Sequence, residues 1–295
     1  MPRSLPSAPL WSLRACWLLL PVVAGPAVAD ALDDRSRPVQ LVGSGLAWGA
    51  WAVLLVAALV PRTVTLTVVR TVAPGAVALA AWSAIGPERA PWAAAGVVGA
   101  VVCTLLAFTP AVADAFVDGS SYGDERRVAL RTPLAVAAGP AAIAWVLAAA
   151  GAVTGPLLLA AEHWVAGAVA TAVGLPLAAL AGRRLHVLSR RWLVFVPAGV
   201  VVHDPIALAE PVLLRRHVLR RVGPAEADAV ERGAVDLTGG ALGLALELRA
   251  AEPFPLARRQ GRGTVEAAGA DAVLVTPGRP AATLEIAAER KLPVT

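Results

Sequence analysis

The sequence predicts two unlike halves: an α-helical membrane bundle of about six transmembrane helices, then a small, mostly β domain with a C-terminal helix. Three observations carry this reading. Apolar residues make up 57% of the 295 positions, and 26 glycines add to them, well above the 45–50% that a soluble domain reaches with glycine included. Charge is divided unevenly, with 19 charged residues in the first 182 positions and 28 in the remaining 113, or about 10% against about 25%. After Arg191 the long apolar runs give way to short Val-rich runs punctuated by Gly and Pro, the pattern of strands and turns.

A helix needs roughly 20 apolar residues to cross about 30 Å of hydrocarbon. Uncharged runs at 38–61 and 90–113 meet that length unaided, and those at 15–29 and 71–87 meet it if Arg14 and Arg70 sit at their edges. From Thr132 to Gly182 only Glu162 is charged, so this stretch must fold back, and Gly151-Ala-Val-Thr-Gly-Pro156 reads as its turn. The predicted spans lie near 10–29, 39–60, 70–86, 91–116, 133–150 and 156–181, giving a membrane domain over 1–185 and a β domain over 186–295. Ala27-Val28-Ala29 before Asp30 also fits a signal-peptidase site, so residues 1–29 read either as a retained first span or as a cleaved leader.

Counting arginines on alternate sides gives Arg3, Arg14, Arg62, Arg70, Arg126, Arg127, Arg131, Arg183, Arg184, Arg190 and Arg191 on one side. The other side holds Arg35, Arg37 and Arg89. The positive-inside rule then predicts a multi-pass cell-membrane protein with both termini in the cytoplasm.

In the second half, Trp192 to Pro197, the turn Ala198-Gly199 and Val200 to Asp204 read as a hairpin, and Pro211 to Leu214 as a third strand. Leucines at 242, 244, 246 and 248 alternate strictly, predicting one buried face. Asp271 to Thr276 reads as a late strand, and Pro280 to Lys291 as a short amphipathic helix. An opening hairpin and a closing helix over about 105 residues resemble the bacterial pleckstrin-homology-like fold, a small bent barrel with a helix plugging one end. The whole chain is also similar to a family of uncharacterised integral-membrane proteins of high-GC Gram-positive bacteria. That resemblance rests on Gly119-Ser-Ser-Tyr-Gly-Asp-Glu-Arg-Arg127 with Leu130-Arg-Thr-Pro133, and on Val194 to Pro205 with Ala209-Glu-Pro-Val-Leu213. It implies architecture and a membrane location, and no activity.

The candidate binding residues are basic. The loop 118–131 holds Tyr122, Arg126 and Arg127 among glycines and serines, a composition able to cradle a phosphate or lipid headgroup. Asp124 and Glu125 beside those arginines give the competing reading, internal ion pairs in a loop that docks the tail. Arg215, Arg216, Arg220 and Arg221 form a second basic set, read either as an edge facing an anionic leaflet or as a solvated strand-to-helix face. Glu162 and His163, read as inside the sixth span, are the intramembrane polar pair that a transporter or channel would use.

Other classes find little footing. The sequence pI near 10.4 comes from arginines at span ends, so nucleic acid is not an expected partner. Cys16 and Cys103 stand in apolar runs with no Cys/His cluster nearby, predicting neither a disulfide framework nor a zinc site. Gly261-Arg-Gly263 is too short for a phosphate loop, and His186, His203 and His217 lack a nucleophile at a recognisable spacing. No catalytic residue, metal or cofactor is expected. The reading is an interaction or assembly component bound to membrane lipids, with a protein partner or anionic lipid at its β domain; the alternative is a transporter using Glu162.

Overall fold

A computed structural model describes residues 8–85, 91–260 and 264–295. Arg3, Arg89 and Gly261-Arg-Gly263 therefore lie outside the described residues. The chain divides into a helical unit, 1–116 with 141–186, and a β unit, 117–140 with 187–295.

The helical unit contains α1 (Ala8–Asp33), α2 (Arg37–Leu59), α3 (Thr63–Ser83) and α4 (Pro91–Ala107), most of α5 (Pro110–Asp118), then α7 (Ala142–Ala160) and α8 (Trp164–Leu188). A short α6 (Leu134–Val136) and a π-helical turn at Ala137–Ala141 lead into α7 without a break in the span. Among the described residues five helices are long and apolar enough to cross a membrane, and six if α4 and α5, bent by 55°, form one span. The bend has a local cause. Pro110 brings no N–H to the Leu106 carbonyl, which instead accepts from the Thr109 hydroxyl at 2.7 Å.

Three features hold these helices together. Trp17 and Trp51 each donate an indole N–H to the other's carbonyl, at 2.9 and 3.0 Å, locking α1 to α2. Arg14 donates to the Ala58 carbonyl at 3.0 Å, near the end of α2, and Arg70 donates to the Ala107 carbonyl at 3.5 Å, at the end of α4. Both use carbonyls that a helix terminus leaves without an intrahelical partner. Arg70 thus lies two turns inside α3 rather than at the edge of a span. Cys16 and Cys103 form a disulfide joining α1 to α4, with Cα atoms 6.0 Å apart. Helix packing juxtaposes two thiols 87 positions apart, a proximity that the sequence spacing did not suggest.

The last two helices correct the expected turn. Gly151 to Pro156 is helical, and the chain reverses at 161–163. Its closure is a Schellman motif: His163 N–H donates to the Leu158 carbonyl at 3.0 Å and Glu162 N–H to the Leu159 carbonyl at 3.0 Å, with Glu162 in the left-handed region at φ 64°. The glycines taken for a turn are contacts instead. A Cβ on Gly155 would collide with the Thr171 backbone, and one on Gly174 would lie 2.8 Å from the Gly151 carbonyl. Small residues here let α7 and α8 approach backbone to backbone.

The β unit packs two four-stranded sheets around one core. The first has order β1-β2-β3-β4, all antiparallel: β1 (Arg126–Ala129), β2 (Trp192–Val196), β3 (Gly199–His203) and β4 (Val212–Arg215). The second comprises β5 (Leu219–Pro224), β6 (Ala234–Asp236), β7 (Leu246–Gln260) and β8 (Thr264–Val275), in order β5-β7-β8-β6 with β6 parallel to β8. Leu193, Phe195 and Val202 from one sheet meet Leu246, Leu248 and Val273 from the other, and Ala287 of α9 (Pro280–Glu289) closes the core.

Two boundaries differ from the sequence reading. The β unit is not confined to 186–295, because Arg126 to Ala129, between two spans, pair with Phe195 to Trp192 as an edge strand. The leucine alternation is also shorter than it reads: Leu246 and Leu248 are buried, whereas Leu242 and Leu244 stand exposed before β7 begins.

Candidate functional site

The strongest candidate is the turn that joins β4, an edge of the first sheet, to β5, an edge of the second. Leu214 and Leu219 are buried and anchor it from within, while Arg215, Arg216, His217 and Arg220 point into solvent. Arg216 N–H donates to the Ala198 carbonyl at 2.8 Å, tying the tip to the turn between β2 and β3. Gly199 lies so close to the Leu214 carbonyl that no Cβ would fit. A rigid scaffold thus presents three guanidinium groups, and among the described residues no carboxylate bonds to Arg215, Arg216 or Arg220.

Arg221 does not belong with them. Its guanidinium contacts Glu247 at 2.9 Å and Glu226 at 2.5 Å, and Glu247, fully buried, also accepts from Arg249 at 2.6 Å. Arg232 extends the network through Glu226 and Asp228. This is an internal brace linking β5 to β7, and the register that pairs Arg221 with Arg249 creates it.

The loop 118–131 resolves in favour of internal pairing. Arg126 contacts Asp118 at 3.3 Å and Arg127 contacts Glu125 at 3.0 Å. Asp118 also accepts from the Arg127 N–H and the Ser121 hydroxyl, each at 2.9 Å. Asp124 takes part through its backbone carbonyl, which accepts from Arg290. Arg127 further lies over the Trp192 ring, 5.6 Å from its centroid. The Tyr122 residue is 86% exposed, while its backbone N–H donates to Glu125 at 3.4 Å.

The Arg191 and Asp204 pair was not legible beforehand. Counted with the span-end arginines in the sequence reading, Arg191 is buried and bidentate to Asp204, at 2.9 and 2.6 Å. Two further N–H groups donate to the Arg131 carbonyl at 2.5 Å and the Leu237 carbonyl at 3.3 Å. Asp204 in turn accepts from the Ile206 and Ala207 N–H groups. Beside it, His203 stacks on Trp192 with centroids 4.7 Å apart. Burial first, then the positive charge of Arg190, holds the His203 imidazole below its usual pKa, with Asp204 opposing.

Glu162 and His163 are exposed in the turn between α7 and α8, not within a helix. The premise that made Glu162 an intramembrane acid is thereby removed, because the chain reverses at that residue instead of ten positions earlier. Among the described residues no group of three or more His, Cys, Asp or Glu side chains could hold a metal ion. A cavity of about 230 Å³ bounded by Ala31, Asp34, Arg35, Trp82 and Ile85 is below the roughly 300 Å³ at which small-molecule pockets begin. Compared with family models, with curated proteins and with solved structures, the chain shows no significant match.

Proposed function

We propose that the protein is a membrane-bound interaction component whose β unit uses the Arg215, Arg216 and Arg220 tip to bind an acidic surface, an anionic leaflet or an acidic protein partner. Binding rather than catalysis is the reading. The observation that carries it is the contrast in pairing: Arg126, Arg127, Arg191, Arg221, Arg232 and Arg249 all have carboxylate partners, and among the described residues the three at the β4–β5 turn have none. Each basic residue near an anionic leaflet is worth on the order of 1 kcal/mol.

The proposed location is the cell membrane, with both termini and the β unit in the cytoplasm. The strand pairing of β1 with β2 supports part of this. It fits an arrangement in which residues 119–133 and the segment after α8 share one side and α7 and α8 cross as a hairpin. The arginine count supplies the cytoplasmic assignment. Two sheets closed by a terminal helix support the pleckstrin-homology-like reading, and the similarity to the high-GC Gram-positive family belongs to the same proposal.

The test uses the full chain in nanodiscs, because 186–295 alone would lack β1. Amide exchange across 213–221 should slow in anionic lipid relative to neutral lipid, revert at high salt, and be lost in Arg215→Glu/Arg216→Glu/Arg220→Glu. Exchange independent of lipid and salt would overturn the lipid arm, and crosslinking from Arg216 in native membranes would then test for a protein partner.

A further inference from the structure

We infer that the loop 237–245 is a membrane-dipping element, with Leu242 and Leu244 entering the leaflet at which the span Leu134–Ala160 begins. The loop is exposed and apolar at its tip, Leu242 being 63% and Leu244 51% accessible. It is also ordered. Thr238 N–H donates to Asp236 at 2.7 Å and Gly240 N–H to the Thr238 hydroxyl at 3.2 Å. Gly239, Gly240 and Gly243 take positive φ values, a backbone path that side chains would strain.

What fixes the occupant is where this loop is moored. A Cβ on Gly239 would lie 3.0 Å from the Pro133 ring, and one on Gly243 would lie 3.2 Å from the Arg131 guanidinium. The buried Arg191 donates to the carbonyls of both Arg131 and Leu237, so one guanidinium clamps the base of the loop to the chain entering the span. Pro133 is followed directly by Leu134, the first residue of that span and itself 49% exposed. Leucines held beside the entry point of a transmembrane helix meet the boundary between headgroups and acyl chains, where apolar side chains are favoured and a neighbouring arginine contacts phosphate.

This attachment rests on apolar side chains, so it persists in neutral lipid and at high salt, which separates it from the basic β4–β5 turn. The test labels single-cysteine variants Leu242→Cys, Leu244→Cys and Glu285→Cys of the full chain with an environment-sensitive fluorophore, without reductant, since Cys16 and Cys103 are paired with each other. The proteins are reconstituted in vesicles of neutral phosphatidylcholine. Labels at 242 and 244 should emit to the blue of the label at 285, be quenched by a nitroxide near the carbonyl end of the acyl chains, and resist aqueous iodide severalfold better. Iodide access at 242 and 244 equal to that at 285, with no nitroxide quenching, would overturn the inference and leave the leucines to a protein partner.

Discussion

In the helical unit, Arg14 and Arg70 donate to the carbonyls of Ala58 and Ala107, and the charge of Asp114 also acts on Arg70. In the β unit, Arg191 pairs with Asp204, and Arg221 and Arg249 both pair with Glu247. The difference follows from where each architecture leaves spare acceptors. A helix uses its interior carbonyls and exposes those at its ends and breaks, so a guanidinium on a neighbouring helix can be met there. A sheet uses its carbonyls laterally, so a buried guanidinium there needs a carboxylate and loop carbonyls. Against both stands the β4–β5 turn, where among the described residues Arg215, Arg216 and Arg220 have no carboxylate partner.

The sharpest way to break this comparison is at Asp204. Asp204→Ala strands Arg191 in the core and should destabilise the β unit by about 3–5 kcal/mol, whereas Arg191→Met with Asp204→Leu should cost far less. Protease susceptibility of the β unit in nanodiscs reads both, and a double variant as weak as the single one would contradict the account. In the helical unit the corresponding weak point is packing. Gly155→Leu should cost about 1–3 kcal/mol by driving α7 from α8, seen as earlier thermal aggregation in detergent. Gly25→Ala, with open space around it, should not.

Glu162→Gly should move the other way, raising stability by about 1 kcal/mol, because glycine occupies the left-handed closing position without a steric penalty. Loss of stability would mean that the Glu162 side chain does more than end a turn. The smallest expected effect is pH-linked. A His203 whose folded pKa lies below the unfolded value near 6.5 favours the unfolded chain on protonation. Stability of the β unit should therefore fall as pH drops below about 6.5 and level off beneath the folded pKa. His203→Gln should flatten that fall, and an unchanged slope would assign the pH dependence elsewhere.

The predicted site was legible only in part. Arg215, Arg216 and Arg220 could be found because a run of basic residues between two strand patterns has nowhere to hide its charge. Arg221, one residue on, could not be separated from them, since its fate depends on a register that places it near Glu247, 26 positions away. Tyr122, Arg126 and Arg127 were visible as a dense polar loop, but four residues are too few for alternation to declare a strand.

Composition and period alone determined the two halves, the approximate number of spans, the opening hairpin and the closing helix, because each rests on local runs long enough for solvent or lipid to select one conformation. The tertiary structure decided the rest. Gly151 and Gly155 are helical because α8 lies against them, Glu162 ends α7 because a Schellman closure forms there, and Arg191 is a core residue because Asp204 and two carbonyls converge on it. The glycine contacts and the Arg191 pairing depend on partners distant in sequence, and a local pattern carries no record of what packs against it; the closure at Glu162 is local, but no glycine at its left-handed position announces it.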